Sequence, residues 1–290
     1  VETRVLAKPP VRYLAKQLGI DLRSVTPTGP SGTVTRADVE GATSVVEQRA
    51  ERAPVETKAA DRREPIKGVR KMMGQAMVDS AFTLPHVTEW ITVDVTRTME
   101  LVERLKKHRE FKHVKVSPML VLARAVCLAM RRTPEINAWW DEQAQEIVFK
   151  SAVNLGIAAA TPRGLVVPNV KGAQAMSLME LAQALGELTA TARDGKTQPA
   201  EMAGGTFTIT NVGVFGVDAG TPIINPGESA IICFGAVRKQ PWVVDDQIVP
   251  RDITTLALSF DHRFIDGALG SQFLADVAAI MEDPATALLY

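Results

Sequence analysis

Apolar positions along this chain repeat with two periods, and the changes from one to the other outline its elements. Helical spacing runs through VRYLAKQLG at 11–19, VRKMMGQAMVDSA at 69–81 and RTMELVERLKKH at 97–108. It returns in MLVLARAVCLAMRR at 119–132, LMELAQALGELTATARD at 178–194 and a last stretch at 266–283, stopped by Pro284. Alternation or short apolar runs predict strands in HVTEWITVDV, AVNLGIAAAT, LVVPNV, TFTITN, SAIICFGAV, WVVDD and ITTLALSF. The punctuation fits. Thr35 with Asp38, and Ser177 with Glu180, read as capping boxes, Thr96 as an N-cap, and Ser117-Pro118 as a capping hydroxyl followed by proline at the first helical position. Gly19 and Gly195 stop their helices.

These elements fall into three stretches. Residues 4–42 read as a miniature helical domain, two short helices around the ordered loop TPTGPSG. About 40 residues is close to the lower limit for an independent core, which fits a docking module better than an enzyme. Residues 43–63 are rich in Ala, Glu and Arg, lack aromatics, and read as a charged linker with room for a transient helix. Residues 64–290 read as one large α/β domain with mixed strand directions, without a doubly wound βαβ rhythm and without repeats.

Composition narrows the function. The 33 basic and 33 acidic residues balance, so no broad basic surface is offered to nucleic acid. No apolar run reaches the roughly 18 residues of a membrane span, and no secretory signal opens the chain. Cys127 and Cys233 lie in apolar contexts, as expected of two buried thiols in a reducing, cytoplasmic setting.

Of the four histidines, His262 has the most telling position, at the end of the run TTLALSF with Asp266-Gly267 opening the next helix. A partly shielded imidazole there suits a general base near neutral pH. The alternative is a structural histidine held by Asp261 or Asp266. A metal site needs at least three ligands, and His86, His108 and His113 show no motif spacing with His262, so no metal is expected. The chain has no G-x-S-x-G elbow, and GGTFTITNVG lacks the glycine order of a dinucleotide fingerprint. Thr206, Thr208 and Thr210 are accounted for by β-propensity alone, or one of their hydroxyls is an oxyanion donor.

DHRFIDG, GGTFTITNVGVFG and TPRGLVVPNV together resemble the catalytic domain of dihydrolipoamide acyltransferases, the E2 components of 2-oxo acid dehydrogenase complexes, and residues 4–42 resemble their peripheral subunit-binding domain. The resemblance covers nearly the whole chain outside the linker. It implies a chloramphenicol-acetyltransferase-like fold with a mixed sheet, and acyl exchange between a dihydrolipoyl thiol and coenzyme A. His262 matches the family's base, Thr210 its oxyanion donor, and Asp266 an aspartate that holds the site's geometry. Ser117, Asn211 and Gly235 match positions that line the coenzyme A tunnel, and Arg12 and Lys16 match basic residues that meet the E1 decarboxylase and the E3 dihydrolipoamide dehydrogenase. The family further implies a homotrimer that builds a cubic or icosahedral cage, with base and hydroxyl drawn from neighbouring subunits and the apolar tail ATALLY either anchoring the next trimer or packing on its own subunit. The lipoyl domain and its modified lysine are absent and expected upstream of Val1, and Thr33 stands where the family commonly has arginine. Several stretches look most like branched-chain members. Non-catalytic scaffold relatives lose the histidine that this chain retains.

Overall fold

The computed structural model describes residues 5–51, 61–161 and 164–290. They divide into two compact units, with the boundary between Glu64 and Pro65. In the first, β1 (Leu6–Ala7) and α1 (Pro9–Gln17) are followed by a loop, β2 (Thr33–Val34), parallel to β1, and α2 (Arg36–Glu51). Pro9 and Pro10 occupy the first helical positions, where a missing N–H breaks no helical bond. The core is small: Val11, Ala15, Val25, Val34 and Val39. A polar clasp supplements it. The Asp38 carboxylate accepts from the Thr28 hydroxyl (2.6 Å) and from the N–H groups of Thr28 (3.0 Å) and Thr35 (2.8 Å), while the Thr35 hydroxyl accepts from the Asp38 N–H (3.3 Å). The predicted cap is thus present and tied to the loop. Helix α2 runs on to Glu51, through the first part of the expected linker, whose Ala, Glu, Gln and Arg favour helix. Residues 52–60 of that linker lie outside the described residues.

The second unit opens with α3 (Val69–Thr83), β3 (His86–Asp94), α4 (Thr96–Lys107) and α5 (Pro118–Ala129). Short strands follow: β4 (Ala138–Asp141), β5 (Glu146–Phe149), β6 (Leu155–Ile157), β7 (Ala159–Thr161), β8 (Gly164–Val166) and β9 (Asn169–Val170). Then come α6 (Leu178–Arg193), α7 (Pro199–Met202), β10 (Phe207–Asn211), β11 (Ala230–Phe234), β12 (Arg238–Val244), β13 (Gln247–Asp261) and α8 (Gly267–Glu282). Among the described residues the main sheet has the order β12-β13-β11-β10-β6-β9, with β3 on the other edge of β13. Strands β6, β10 and β11 run parallel to one another, and the other pairings are antiparallel, so the sheet is mixed as expected. One face carries Phe207, Ile209, Ala230, Ile232, Phe234, Leu256, Leu258 and Phe260 into a core shared with α5 and α8. Alternation places Thr208 and Thr210 on the opposite face.

Several local expectations are corrected. The Thr96 hydroxyl does not cap α4. It donates to Asp94 (2.6 Å) and accepts from the Asp252 N–H (2.9 Å), and Asp94 itself accepts from the Thr96 N–H (2.9 Å). Ser117 stands at the N-cap of α5 with proline after it, but its hydroxyl makes no cap bond. AVNLGIAAAT is two strands, because Ala158 leaves the β6–β9 pairing and its N–H bonds Ile209 instead (3.0 Å). LVVPNV is split at Pro168, which has no N–H for a ladder. The β4–β5 hairpin around Trp139 and Trp140 carries no Gly or Pro signal and was not predicted.

Candidate active site

Strand β13 delivers Asp261 into the protein, 1% exposed, and the chain then turns sharply. Both Asp261 carboxylate oxygens receive the Arg263 guanidinium (Nη2 2.6 Å, Nε 3.0 and 3.1 Å), and one also accepts the Arg263 N–H (3.1 Å). Arg263 lies 5.0 Å over the Trp140 ring. This closed pair turns His262 outward. Its N–H is held by the Pro85 carbonyl (2.9 Å), and its ring lies 6.0 Å from that of Phe260. Asp266 is the N-cap of α8, its Oδ1 accepting from the Leu269 N–H at 2.9 Å. Neither acid therefore holds the imidazole. Among the described residues the His262 ring makes no hydrogen bond, and in this single chain it is exposed.

Gly270 sets the approach of α8. A Cβ there would fall 2.5 Å from Phe260 Cε1, so bare backbone is what lets α8 lie against the last turn of β13. His86 is a structural histidine in the same region. Its Nδ1 bonds the Leu84 carbonyl (2.8 Å) and its Nε2 accepts from the Ile224 N–H (3.0 Å), which fixes the tautomer with the proton on Nδ1.

Thr206, just before β10, and Thr208 and Thr210 within it differ in their bonding. The Thr206 hydroxyl accepts from the Asn154 N–H (3.0 Å). Thr208 donates to Glu228 (3.0 Å) and accepts from Asn225 (2.8 Å). The half-buried Thr210 hydroxyl has no partner among the described residues, so of the three it is the one left wholly unengaged. Asn211 follows it, with Oδ1 accepting weakly from Val214 (3.3 Å). Gly235 closes the same corner: its N–H bonds Thr255 (3.0 Å), and a Cβ on it would sit 1.9 Å from the Asp218 carbonyl oxygen. Thr210, Asn211 and Gly235 thus share one end of the sheet.

His262 and Asp266 lie at the other end. Thr210 pairs with Cys233, and Cys233 with Ala257, five residues before His262 on β13. At about 3.3 Å per residue and 4.8 Å per strand, Thr210 and His262 of one chain are roughly 19 Å apart. Ser117 begins α5, roughly 18 Å of helix before the turn whose Ile136 carbonyl receives the Ser229 hydroxyl near His262. Arg12 and Lys16 lie on the exposed side of α1 in the small unit. The Arg12 guanidinium is tied to the Val5 and Ala7 carbonyls, so it is presented in a fixed pose, and the Thr33 hydroxyl closes its own turn on Pro30 (2.8 Å).

Burial raises the Cys127 thiol to about 11, with Arg124 opposing weakly, and burial also raises Cys233, so neither is an activated nucleophile. Glu228, whose role the sequence did not reveal, is pushed up to about 7 by burial, against the lowering bonds of Thr208 and Asn225. Among the described residues no group of three or more metal-ligating side chains occurs, and no helix is long and apolar enough to cross a membrane.

A mixed sheet with helices on one face, a histidine at one end and an unbound hydroxyl at the other describes an α/β acyltransferase core with a small binding module before it. The family described as 2-oxoacid dehydrogenases acyltransferase (catalytic domain) matches residues 58–289, and the e3 binding domain family matches residues 5–40. The chain belongs to the 2-oxoacid dehydrogenase acyltransferases. A relative from Bacillus subtilis, the dihydrolipoyllysine-residue acetyltransferase component of pyruvate dehydrogenase complex, is 35% identical over 304 residues, covering 99% of this chain and 68% of the relative. The solved dihydrolipoamide acetyltransferase of Azotobacter vinelandii superposes with a TM-score of 0.75 at 29% identity, covering 81% of this chain and 97% of that one. The cubic core of the pyruvate dehydrogenase multienzyme complex does so with 0.74 at 30%, covering 81% and 98%.

Proposed function

We propose that this chain transfers an acyl group between dihydrolipoamide and coenzyme A, with His262 as general base and Thr210 as oxyanion donor. The observation that carries this is a spacing. The Azotobacter vinelandii enzyme was studied for the catalytic roles of a serine, a histidine 52 positions later and an asparagine four further on. Thr210, His262 and Asp266 stand at the same intervals in this chain. His262 removes the proton from the attacking thiol, of which only about 3% is ionised at pH 7 for a pKa of about 8.5. Thr210 donates to the carbonyl oxygen as negative charge develops there. The departing thiolate then recovers the proton from the imidazolium, so one thioester replaces another without net proton change. Asp266 anchors α8 and hence the turn that carries the base.

Because Thr210 and His262 belong to opposite sheet ends, a site that uses both takes them from two copies. This supports a homotrimer, and the relative with a cubic core supports a cage built from trimers. Leu288 and Leu289, 91% and 73% exposed, are available for contact between trimers, while Tyr290 is held on its own chain by Asp276 (2.7 Å) and Arg132. Coenzyme A is assigned to the corner with Thr210, Asn211 and Gly235, where the Thr210 hydroxyl is unbound and the Gly235 backbone is bare, with Ser117 contributing its uncommitted hydroxyl. Residues 4–42 form the partner-binding domain, 43–63 the connection and 64–290 the catalytic domain. Arg12 and Lys16 meet the E1 and E3 enzymes, and the acyl group arrives on a dihydrolipoyl group. Sequence texture favours branched-chain acyl groups, and the acetyltransferase activity of the pyruvate dehydrogenase relatives favours acetyl.

Acyl exchange between dihydrolipoamide and acetyl-, isobutyryl- or succinyl-coenzyme A tests the reading and ranks the acyl groups. His262→Ala is expected to lose roughly 10²–10⁴ in kcat. Wild-type protein inactive with all three would leave a scaffold role.

A further inference from the structure

The buried acids of the large unit fall into two kinds. Asp94, Asp261 and Asp276 each face an arginine: Arg251, Arg263 and Arg132. Glu228 is 6% exposed and has no ion pair among the described residues. Its Oε1 accepts from Thr208, which accepts from Asn225. Its Oε2 is buried without a partner, and so is Asn169 Oδ1. The Asn169 amide is oriented by its Nδ2, which donates to the Ala203 carbonyl at 3.2 Å. Both side chains flank the bare face of Gly205, where a Cβ would lie 2.8 Å from Glu228 Oε1 and 3.6 Å from Asn169 Nδ2. An ionised Glu228 would be a buried charge with no cation beside it and the Thr208 hydroxyl as its hydrogen-bond donor among the described residues, which is costly. A proton on Oε2 removes that charge.

The surroundings connect this carboxyl to both ends of the proposed site. Thr208 lies two residues before Thr210 on the same sheet face. The 224–229 connection bonds His86 through the Ile224 N–H (3.0 Å), takes the Ser80 hydroxyl on the Ile224 carbonyl (2.5 Å), and receives the Asp261 N–H on Ser229 (2.9 Å), one residue before His262. We propose that Glu228, in its protonated form, is a positioning residue that locks β10 to the 224–229 connection, so that Thr210 and the His262 turn keep the alignment acyl transfer requires. This rests on the acyl-transfer reading above.

Glu228 also lines a cavity of about 720 Å³ walled by Met72, Met73, Met77 and Val166, which gives water and protons a route to it. The charged groups around it are engaged elsewhere. Lys150 on the cavity wall lies 5.2 Å over the Trp139 ring, Lys171 Nζ bonds the Ala203 carbonyl, and the Asp261–Arg263 pair is closed on itself. Burial raises the carboxyl to about 7, so ionisation falls in an accessible range.

The test uses the assembled full chain as wild type, Glu228→Gln and Glu228→Ala, followed from about pH 6 to about pH 9, on both sides of the raised Glu228 value. Wild type is expected to show a fall in kcat of about tenfold per pH unit on the alkaline side. Glu228→Gln, neutral at every pH, is expected to remove that fall while keeping activity near pH 6. Glu228→Ala loses kcat throughout with little change in KM. Infrared difference spectra of wild type against Glu228→Gln are expected to show a protonated carboxyl band near pH 6 that disappears on the alkaline side. An unchanged alkaline fall in Glu228→Gln, or no such band, overturns the proposal. Wild type with no transfer at any pH sinks the acyl-transfer reading instead, and the infrared band still reports the state of Glu228.

Discussion

Asp261 is fully engaged by Arg263, and Asp266 by a helix end, so the imidazole between them is left to whatever approaches from outside the chain. At this scale the Thr210 hydroxyl is the proposed partner group, without a hydrogen bond among the described residues where its neighbours Thr206 and Thr208 each have one. Thr210→Ala is expected to lower kcat by roughly 10²–10³ with folding intact, the cost of one oxyanion donor, and Thr210→Ser to retain most activity; steady-state kinetics beside circular dichroism separates the two effects. Asp38 carries a prediction of another kind. Hydrogen bonds from Thr28 and Thr35 lower its carboxyl to about 2 in the folded state. A depressed folded pKa gives stability that is present above the unfolded value near 4 and lost as pH falls toward the folded one. The small unit is therefore expected to loosen between about pH 4 and about pH 2. Asp38→Asn, which cannot ionise, should remove most of that dependence in a pH series of thermal melts. Histidine, threonine and the cap acids were all legible as residue types. That Asp261 turns to Arg263, and that only Thr210 of three threonines stays unbound, follows from contacts between residues far apart in the chain.

At the scale of elements, the signals that carried were those closed within a few residues. The Ser177–Glu180 capping box forms as spelled out, with bonds of 2.7 and 3.2 Å, and Gly195 follows at φ 68°. Asp266 is a cap of the same local kind, and Asp266→Ala is expected to cost about 1 kcal/mol of stability while Asp266→Asn costs little, read as midpoint shifts in denaturant unfolding. A fall in activity in the Asn variant without loss of stability would give Asp266 a role beyond the cap. Thr96 does not cap because its hydroxyl is committed elsewhere, donating to Asp94, which Arg251 holds in place, and accepting from the Asp252 N–H. The Asp94 carboxyl is opposed by burial, yet the Thr96 and Arg251 bonds outweigh that and hold it below the usual range. Pro168 was visible in the sequence, but its effect on the ladder was not, since that depends on which strand lies beside it.

For the whole molecule, a site that uses both Thr210 and His262 as proposed, roughly 19 Å apart in one chain, would be a property of an assembly rather than of a chain. The prediction is complementation. His262→Ala and Thr210→Ala chains, each inactive alone, are expected to recover about a quarter of wild-type activity when unfolded together and reassembled, because random pairing restores intact sites at that frequency in a cyclic oligomer. No recovery in verified mixed oligomers would put both groups in one chain and contradict the register.

The family, the division into a small module and a large mixed α/β domain, and the residue types of the candidate site are legible in the chain alone, because caps, periodicity and short motifs are written within a few neighbouring positions. Where the two halves of that site lie, which hydroxyl is unengaged, and that Glu228 is a buried acid without a cation among the described residues emerge from the folded chain. Sheet register and burial bring together residues far apart in the chain, and no local pattern encodes the distance or the solvent left between them.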